Sequence, residues 1–311
     1  MAKRFLSSPR DKINYKFREA SSELLSDFLI NLNKRNKDNI KSLGKCSGTF
    51  KEKKLMEHIF LITKDMRLDP LAGYHAVELL QRFMVKHLTD LFTTPTPQGA
   101  TAEPPRSYEA AVFDKLKEKF PLIIFSCVQL ASKMSLHSRM IDTGAAVRFL
   151  HSVGLSVSKK AVLDSELMVL KGLEFRLNAP NPLTYVEILL EVLGHNESST
   201  PVDRLYPLCH HVLQFVSLQR TAIYESLLGT TVQWESPTTE HREKFVTVIE
   251  DYMLLGGSVI AVATFILYVR KYEQVVKELS NITGISPKSI RDFAGVTLMH
   301  IVGASSPVTF T

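Results

Sequence analysis

Two stretches of this chain are apolar on every side, and they limit what the rest can fold into. Phe120 to Met134 carries Ile123, Ile124, Phe125, Cys127, Val128, Leu130 and Ala131, with no charge before Lys133. Tyr252 to Val269 is a second run, 18 residues without a charge. A helix that is apolar all round has to be covered all round. Each run therefore predicts a central helix with other helices packed about it. The second run reaches the lower edge of membrane-spanning length. Its small residues (Gly256, Gly257, Ser258, Ala261, Ala263) and its amphipathic neighbours favour a buried core helix, and no aromatic-and-basic belt flanks it. No membrane span is expected.

The remaining segments supply the covering helices. Ser21-Ser22-Glu23 opens a helix with Leu24, Leu25, Phe28, Leu29 and Leu32 on one side. The polar run Asn33–Asn39 ends it or continues it as a solvated face; Lys34, Arg35 and Lys37 within it are a weak import signal or a plain charge run. Leu55, Ile59, Ile62 and Met66 stripe the next helix. Asp69-Pro70 then starts another, with Asp69 as its cap and Val77, Leu80, Met84 and Leu88 as its stripe. A proline-bearing loop covers 93–107, where Thr94-Pro95 and Thr96-Pro97 match proline-directed kinase sites at the level chance supplies. After the first apolar run, Asp142 and Ser156–Ser158 start two more helices. Leu163, Leu167, Leu170 and Leu173 are expected to be the buried stripe of the second, with Glu166 beside them. Asn178-Ala179-Pro180-Asn181-Pro182 is a linker that no helix crosses. Beyond it the helical pattern repeats, with Gly194 and Gly303 as helix ends. No segment alternates long enough to demand a sheet.

The fold class that follows is all-α: two tandem blocks of about five helices, preceded by an N-terminal helix and a basic arm. The expected boundaries are 1–48 for the arm and first helix, 49–180 and 181–303 for the blocks, and 304–311 for a tail. The net charge of +6 sits in the arm: residues 1–54 hold 14 Lys/Arg against 6 Asp/Glu, and the remainder holds 24 against 26. Residues 1–18 are expected to be flexible. Only the arm has the charge for a weak contact with DNA.

No motif for catalysis or cofactor binding stands out. The chain has no phosphate-cradling glycine loop, no His-Glu-x-x-His, no Cys-x-x-Cys and no nucleophile elbow. Cys127 and Cys209 lie in apolar helical patterns and read as core residues. Cys209-His210-His211 places successive side chains about 100° apart on a helix, which suits a structural role better than a metal. An enzyme, a metal and a cofactor are all unexpected.

Three segments, in order, resemble the cyclin box. Ala76-Val77-Glu78-Leu79-Leu80-Gln81-Arg82-Phe83-Met84 is similar to its second helix. Leu130-Ala131-Ser132-Lys133 is similar to the end of its third. Ser165 to Leu177, SELMVLKGLEFRL, is similar to its fifth, with Asn178-Ala179-Pro180 in the place of the inter-box linker. Over nearly the whole chain, AVELLQRFMVK, SCVQLASKMS, VLKGLEFRLNAPNPLTYVEILLEVLG, IYESLL and SNITGI are similar to a divergent cyclin-like group that acts in meiotic recombination.

The resemblance implies two tandem cyclin boxes and a nuclear protein on meiotic chromosomes that promotes crossover maturation in prophase I. It implies a cyclin-dependent kinase as a partner, with Lys133 and Glu166 bonding kinase backbone groups beside its regulatory helix; the plainer alternative is that the two only pair with each other at the surface, worth under about 1 kcal/mol. An alternative implication is a noncatalytic scaffold for recombination factors such as MutL-type complexes. A DNA-binding cyclin fold of the transcription-factor type is a third. The substrate-docking patch of cyclins falls on Lys51, Leu55 and His58, two of which are wrong for an apolar patch. Cyclins also join their first and second helices through an Arg–Asp pair. Here Glu52 and Gln81 stand at those positions, so both ends have changed together and no buried charge is stranded. Met134, Ser135 and Leu136 replace the acidic residues that follow Lys133 in cyclins.

Overall fold

The computed structural model describes residues 17–44, 47–93, 105–135, 140–231 and 238–303, and their side chains except at 91–93, 105–116 and 231. The arm ahead of residue 17, Cys46, the two Thr-Pro pairs and the tail 304–311 lie outside the described residues. Within them the chain is helical and contains no strand. Thirteen α-helices follow one another: α1 (Ser22–Lys41), α2 (Lys53–Asp65), α3 (Pro70–Thr93), α4 (Pro105–Met134), α5 (Thr143–Ser152), α6 (Lys159–Gly172), α7 (Pro182–Asn196), α8 (Val202–Leu218), α9 (Arg220–Thr231), α10 (Thr239–Ile249), α11 (Tyr252–Leu267), α12 (Tyr272–Thr283) and α13 (Pro287–Val302).

Local chemistry fixes many of the ends. Ser21, Asp142, Ser158 and Ser286 each accept a backbone N–H of the first turn they precede. Asp69 Oδ1 accepts from Leu71 N at 2.7 Å, with Pro70 as the first residue of α3. Gly303 ends α13 at φ 72°, as its glycine suggests. Gly194 does not end α7, which runs two residues further. Its bare backbone instead admits Arg18, whose Nε donates to Gly194 O at 3.0 Å. Arg18 also binds Thr200 O at 2.6 Å, and Phe17 packs edge-on against Tyr206. Residues 17 and 18 are therefore docked on α7 and α8, contrary to the expected flexible end of the arm.

The two apolar runs are the two hearts of the structure. Residues 123–132 of α4 are buried without interruption, and so are residues 252–264 of α11. Helix α4 begins earlier than expected, at Pro105, and its fully covered half starts just past the internal Pro121. No single helix among the described residues is long and apolar enough to cross a membrane; α10 and α11 pass that test only as a pair, bent by 72°. Buried apolar residues form two clusters. One spans Met56 to Ala179, from α2 to α6. The other takes Leu183 to Leu298, together with Leu32 of α1 and Tyr74 of α3. The first is built on five helices; the second draws on more, because α9 and α10 are added between α8 and α11.

A buried charge network ties the clusters together, where the sequence pointed to no buried ion pair. Lys51, just ahead of α2, is 4% exposed. Its Nζ lies 2.7 Å from Glu250 Oε2, 2.8 Å from Glu78 Oε1 and 2.6 Å from Tyr252 Oη. An ammonium has three N–H donors, so these three acceptors complete it. Glu250 also pairs with Arg220 of α9, and Tyr252 donates to Glu78. Two cations thus face two carboxylates at the junction of α2, α3, α9 and α11. Helix α1 joins the same point: Asn36, 4% exposed in the polar run, accepts from Tyr252 N and donates to Asp251 Oδ1. The polar run is therefore helical through Lys41 and only partly solvated. Gln81 does not lack a task either; its Oε1 accepts from Phe50 N at 2.7 Å. The inward-facing cation of this junction is Lys51, one residue before Glu52, and its acid on α3 is Glu78, one turn before Gln81.

Removing one member of a buried ion group strands its partners. Lys51→Met is expected to lower the unfolding free energy by about 3–5 kcal/mol, whereas Lys53→Met, at an exposed neighbour, stays within about 0.5 kcal/mol; urea titration reads both. Burial alone would raise the pKa of Glu250, but Lys51 and Arg220 outweigh it and hold it below the ordinary carboxylate value. A depressed folded pKa adds stability above the unfolded value, about 4.3. That stability is lost as pH falls through the folded value. Glu250→Gln is expected to flatten the acid-side slope of stability against pH.

Candidate partner-binding surface

Lys133 stands where the covered half of α4 comes out to solvent. The exit is fixed by hydrogen bonds. Ser132, fully buried, donates to Gln129 O at 2.7 Å and accepts from Ile141 N at 3.3 Å. Gln129 Nε2 donates to Ile141 O at 3.3 Å. These bonds pin the returning chain at Ile141 against the last turn of α4 and leave the next residue, Lys133, facing outward. On α6, Ser165 Oγ meets Ser126 Oγ of α4 at 2.8 Å. One residue on, Glu166 pairs with Lys133. The Lys133 side chain is 38% exposed and that of Glu166 is 8% exposed. The two residues proposed from sequence are thus together, each the other's ion-pair partner, at the edge of the α4–α6 contact. A half-exposed pair of this kind contributes at most about 1 kcal/mol to stability.

The buried face of α6 holds only half of the expected leucine stripe: Leu173 is buried and Leu170 packs partly buried on the first cluster, but Leu163 and Leu167 do not face inward. Val162, Ser165, Glu166 and Val169 point inward, with Leu173 following. Leu163 and Leu167 are 50% and 43% exposed. Both rows repeat at helical spacing and differ by one residue, so periodicity alone does not choose between them. Contact with α4 decides: the small Ser165 fits against Ser126, where a leucine would not. The result is an apolar ridge of Leu163 and Leu167 on the solvent side of α6, with Met134 (48% exposed) beside Lys133 and Phe175 (64% exposed) past the helix end.

The positions of the degenerate docking patch, Lys51, Leu55 and His58, face different surroundings. Lys51 faces inward, saturated by Glu78, Glu250 and Tyr252, because it neutralises the junction between the two clusters. Leu55 is partly buried against the first cluster, and His58 is exposed. Cys209-His210-His211 also disperses. Cys209 is in the core, His210 Nε2 is 2.9 Å from Tyr206 Oη, and His211 is exposed. Burial lowers His210 to about 4, so it is a neutral acceptor or donor at physiological pH. No group of three possible metal ligands occurs among the described residues.

Two curated relatives align with almost the entire chain. Cyclin N-terminal domain-containing protein 1 of Mus musculus is 37% identical over 294 residues, 94% of this chain and 88% of the relative. Its counterpart in Homo sapiens is 38% identical over 295 residues, 95% of this chain and 89% of the relative. The chain belongs to the cyclin N-terminal domain-containing protein 1 family. No family model matches it. The membership makes it a cyclin-domain protein, in keeping with its all-helical architecture and with the cyclin-like segments on α3, α4 and α6.

Close packing of α6 on α3 underlies this surface. A Cβ at Gly172 would lie 2.5 Å from Phe83 Cε2, and Phe83 is 1% exposed. Gly172→Ala is expected to cost about 1–3 kcal/mol through overpacking. Gly257→Ala in α11, where an added Cβ meets nothing within 4 Å, is expected to be neutral or to gain up to about 1 kcal/mol. Thermal unfolding of the two variants side by side checks the contrast.

Proposed function

We propose that the chain is a noncatalytic, cyclin-type regulatory protein of two tandem boxes, 49–180 and 181–303, that docks a cyclin-dependent kinase across α4 and α6. Its place is the nucleus, on meiotic chromosomes, and its output is the maturation of crossovers in prophase I. The observation that carries the docking reading is the solvent-facing ridge of Leu163 and Leu167 beside the Lys133–Glu166 pair. An apolar ridge with a polar centre is the composition of a protein interface. Lys133 and Glu166 would supply charge-assisted bonds to backbone carbonyls and amides, which do not depend on the partner's side chains. Packing of such a surface against a kinase's regulatory helix would position the kinase's own catalytic Lys–Glu pair. The regulator itself then needs no reactive group.

A second reading is a scaffold that holds recombination factors, MutL-type complexes among them, without switching on a kinase. It is favoured by the inward-facing Lys51, which takes one more position away from a docking patch already degenerate in sequence. A DNA-binding role would rest on the arm, since residues 55–311 hold 24 Lys/Arg against 26 Asp/Glu.

The charge swap Lys133→Glu/Glu166→Arg separates these readings, because it keeps an ion pair and so the fold. Kinase docking predicts that the swapped protein, isolated from meiotic cells, no longer copurifies with a cyclin-dependent kinase and fails to support a normal crossover number. Normal crossover numbers with the swap would reject the kinase reading in favour of the scaffold. Unchanged chromosome association after removal of residues 1–18 would remove the case for DNA contact through the arm.

A further inference from the structure

His75, Glu78, Arg82 and Lys86 follow at steps of three, four and four along α3 and share one face of the helix. That face lies against the chain leaving α6. Its two ends are tied to that chain: Lys86 pairs with Glu174, and His75 Nε2 lies 2.7 Å from Leu177 O. Arg35 of α1 holds the far side, donating to Asn178 Oδ1 at 2.6 Å. Between the ties sits Arg82, partly buried, with its Nη1 enclosed and without an acceptor among the described residues. Glu78 bears on it, but that carboxylate is already engaged by Lys51 and Tyr252. Arg176 is the second guanidinium; its side chain is 78% exposed and reaches Glu174 only at 3.8 Å. Burial lowers the pKa of Arg82, Glu78 offsets part of this, and neighbouring Arg176 lowers it further. The ties of His75 to Leu177 and of Lys86 to Glu174 bring Arg176 to the stretch of α3 that carries Arg82, and the carboxylate nearest Arg176, Glu174, is shared with Lys86.

The backbone above them is strained. Glu174 and Phe175 have φ of 53° and 59°, two successive non-glycine residues in the left-handed region. That conformation costs about 1–2 kcal/mol per residue. It leaves Phe175 and Arg176 standing out side by side. Strain of this kind concentrates at ligand sites.

We propose that Arg82 and Arg176 form a clamp for a phosphate monoester carried on a serine or threonine of a protein partner, with Phe175 as its apolar rim. Paired guanidiniums present forked donors that match a phosphate dianion. A nucleic-acid strand is the lesser fit, because the surplus of positive charge is local and a backbone needs a cationic track. The site lies beyond the end of α6, is separate from Lys133 and Glu166, and does not depend on kinase docking.

The test is a titration of the full chain with O-phosphoserine, glutamate and a twelve-residue oligothymidylate at constant ionic strength, read by the NMR signals of the Arg82 and Arg176 Nε–H groups. The clamp predicts saturable shifts of both signals with phosphoserine and weaker or absent shifts with glutamate. It predicts about tenfold weaker phosphoserine binding in Arg176→Gln, and a comparable loss in Arg82→Gln. Arg176 is a surface residue, so its replacement remains informative even where Arg82→Gln does not fold. Shifts that never saturate, that survive Arg176→Gln, or that are matched by glutamate overturn the proposal. Saturable binding of the oligothymidylate with none of phosphoserine overturns it in favour of nucleic acid.

Discussion

The arrangement of this protein depends on Lys51. One ammonium group, almost fully buried, meets Glu78 from the first cluster and Glu250 and Tyr252 from the second. Arg220 supplies the second positive charge that Glu250 requires. A buried ion group of this kind is weak evidence for stability as such, since apolar packing of the same volume often does as well. Its consequence is geometric. Each member is costly without the others, so α2, α3, α9 and α11 can meet in few ways, and α1 is brought to the same point by Asn36. Apolar contacts cross the junction as well, through Tyr74 and Phe60; the charges add a requirement of position to them.

That placement bears on the outer surface. Residues 174–181 leave α6 between α1 and α3, held by Arg35, His75 and Lys86. Asn181 donates to Leu71 O at 2.9 Å as α7 begins. The linker is therefore a packed part of the structure. The Lys133–Glu166 pair, the Leu163–Leu167 ridge and the arginines near Phe175 are displayed from helices whose positions follow from the two cores.

Much of this was legible in the sequence. The runs at 123–132 and 252–264 are covered as their composition demands, because a helix with no polar face has no other stable setting. Ser21, Asp69, Asp142, Ser158 and Ser286 cap helices because their oxygens reach nearby N–H groups, a wholly local matter. What stayed hidden depends on distant partners. Leu163 and Leu167 looked like core, and only the seat of Ser165 on Ser126 shows that they face water. Lys51 looked like part of a surface patch because its acceptor Glu250 lies 199 residues away. Helix α10 carries little apolar periodicity, with Phe245 its one buried residue, and left no pattern to read. The Lys133–Glu166 meeting came from resemblance to cyclin boxes, since no spacing rule links a residue on α4 to one on α6.

The claim that Lys51 couples two cores into one unit can be tested by native-state hydrogen exchange on backbone amides of 123–132 and 252–264. With such coupling, both segments of the wild-type chain open with the same free energy, and in Lys51→Met they separate, one opening at lower denaturant than the other. Separate opening in the wild type, or joint opening that persists in Lys51→Met, would contradict it.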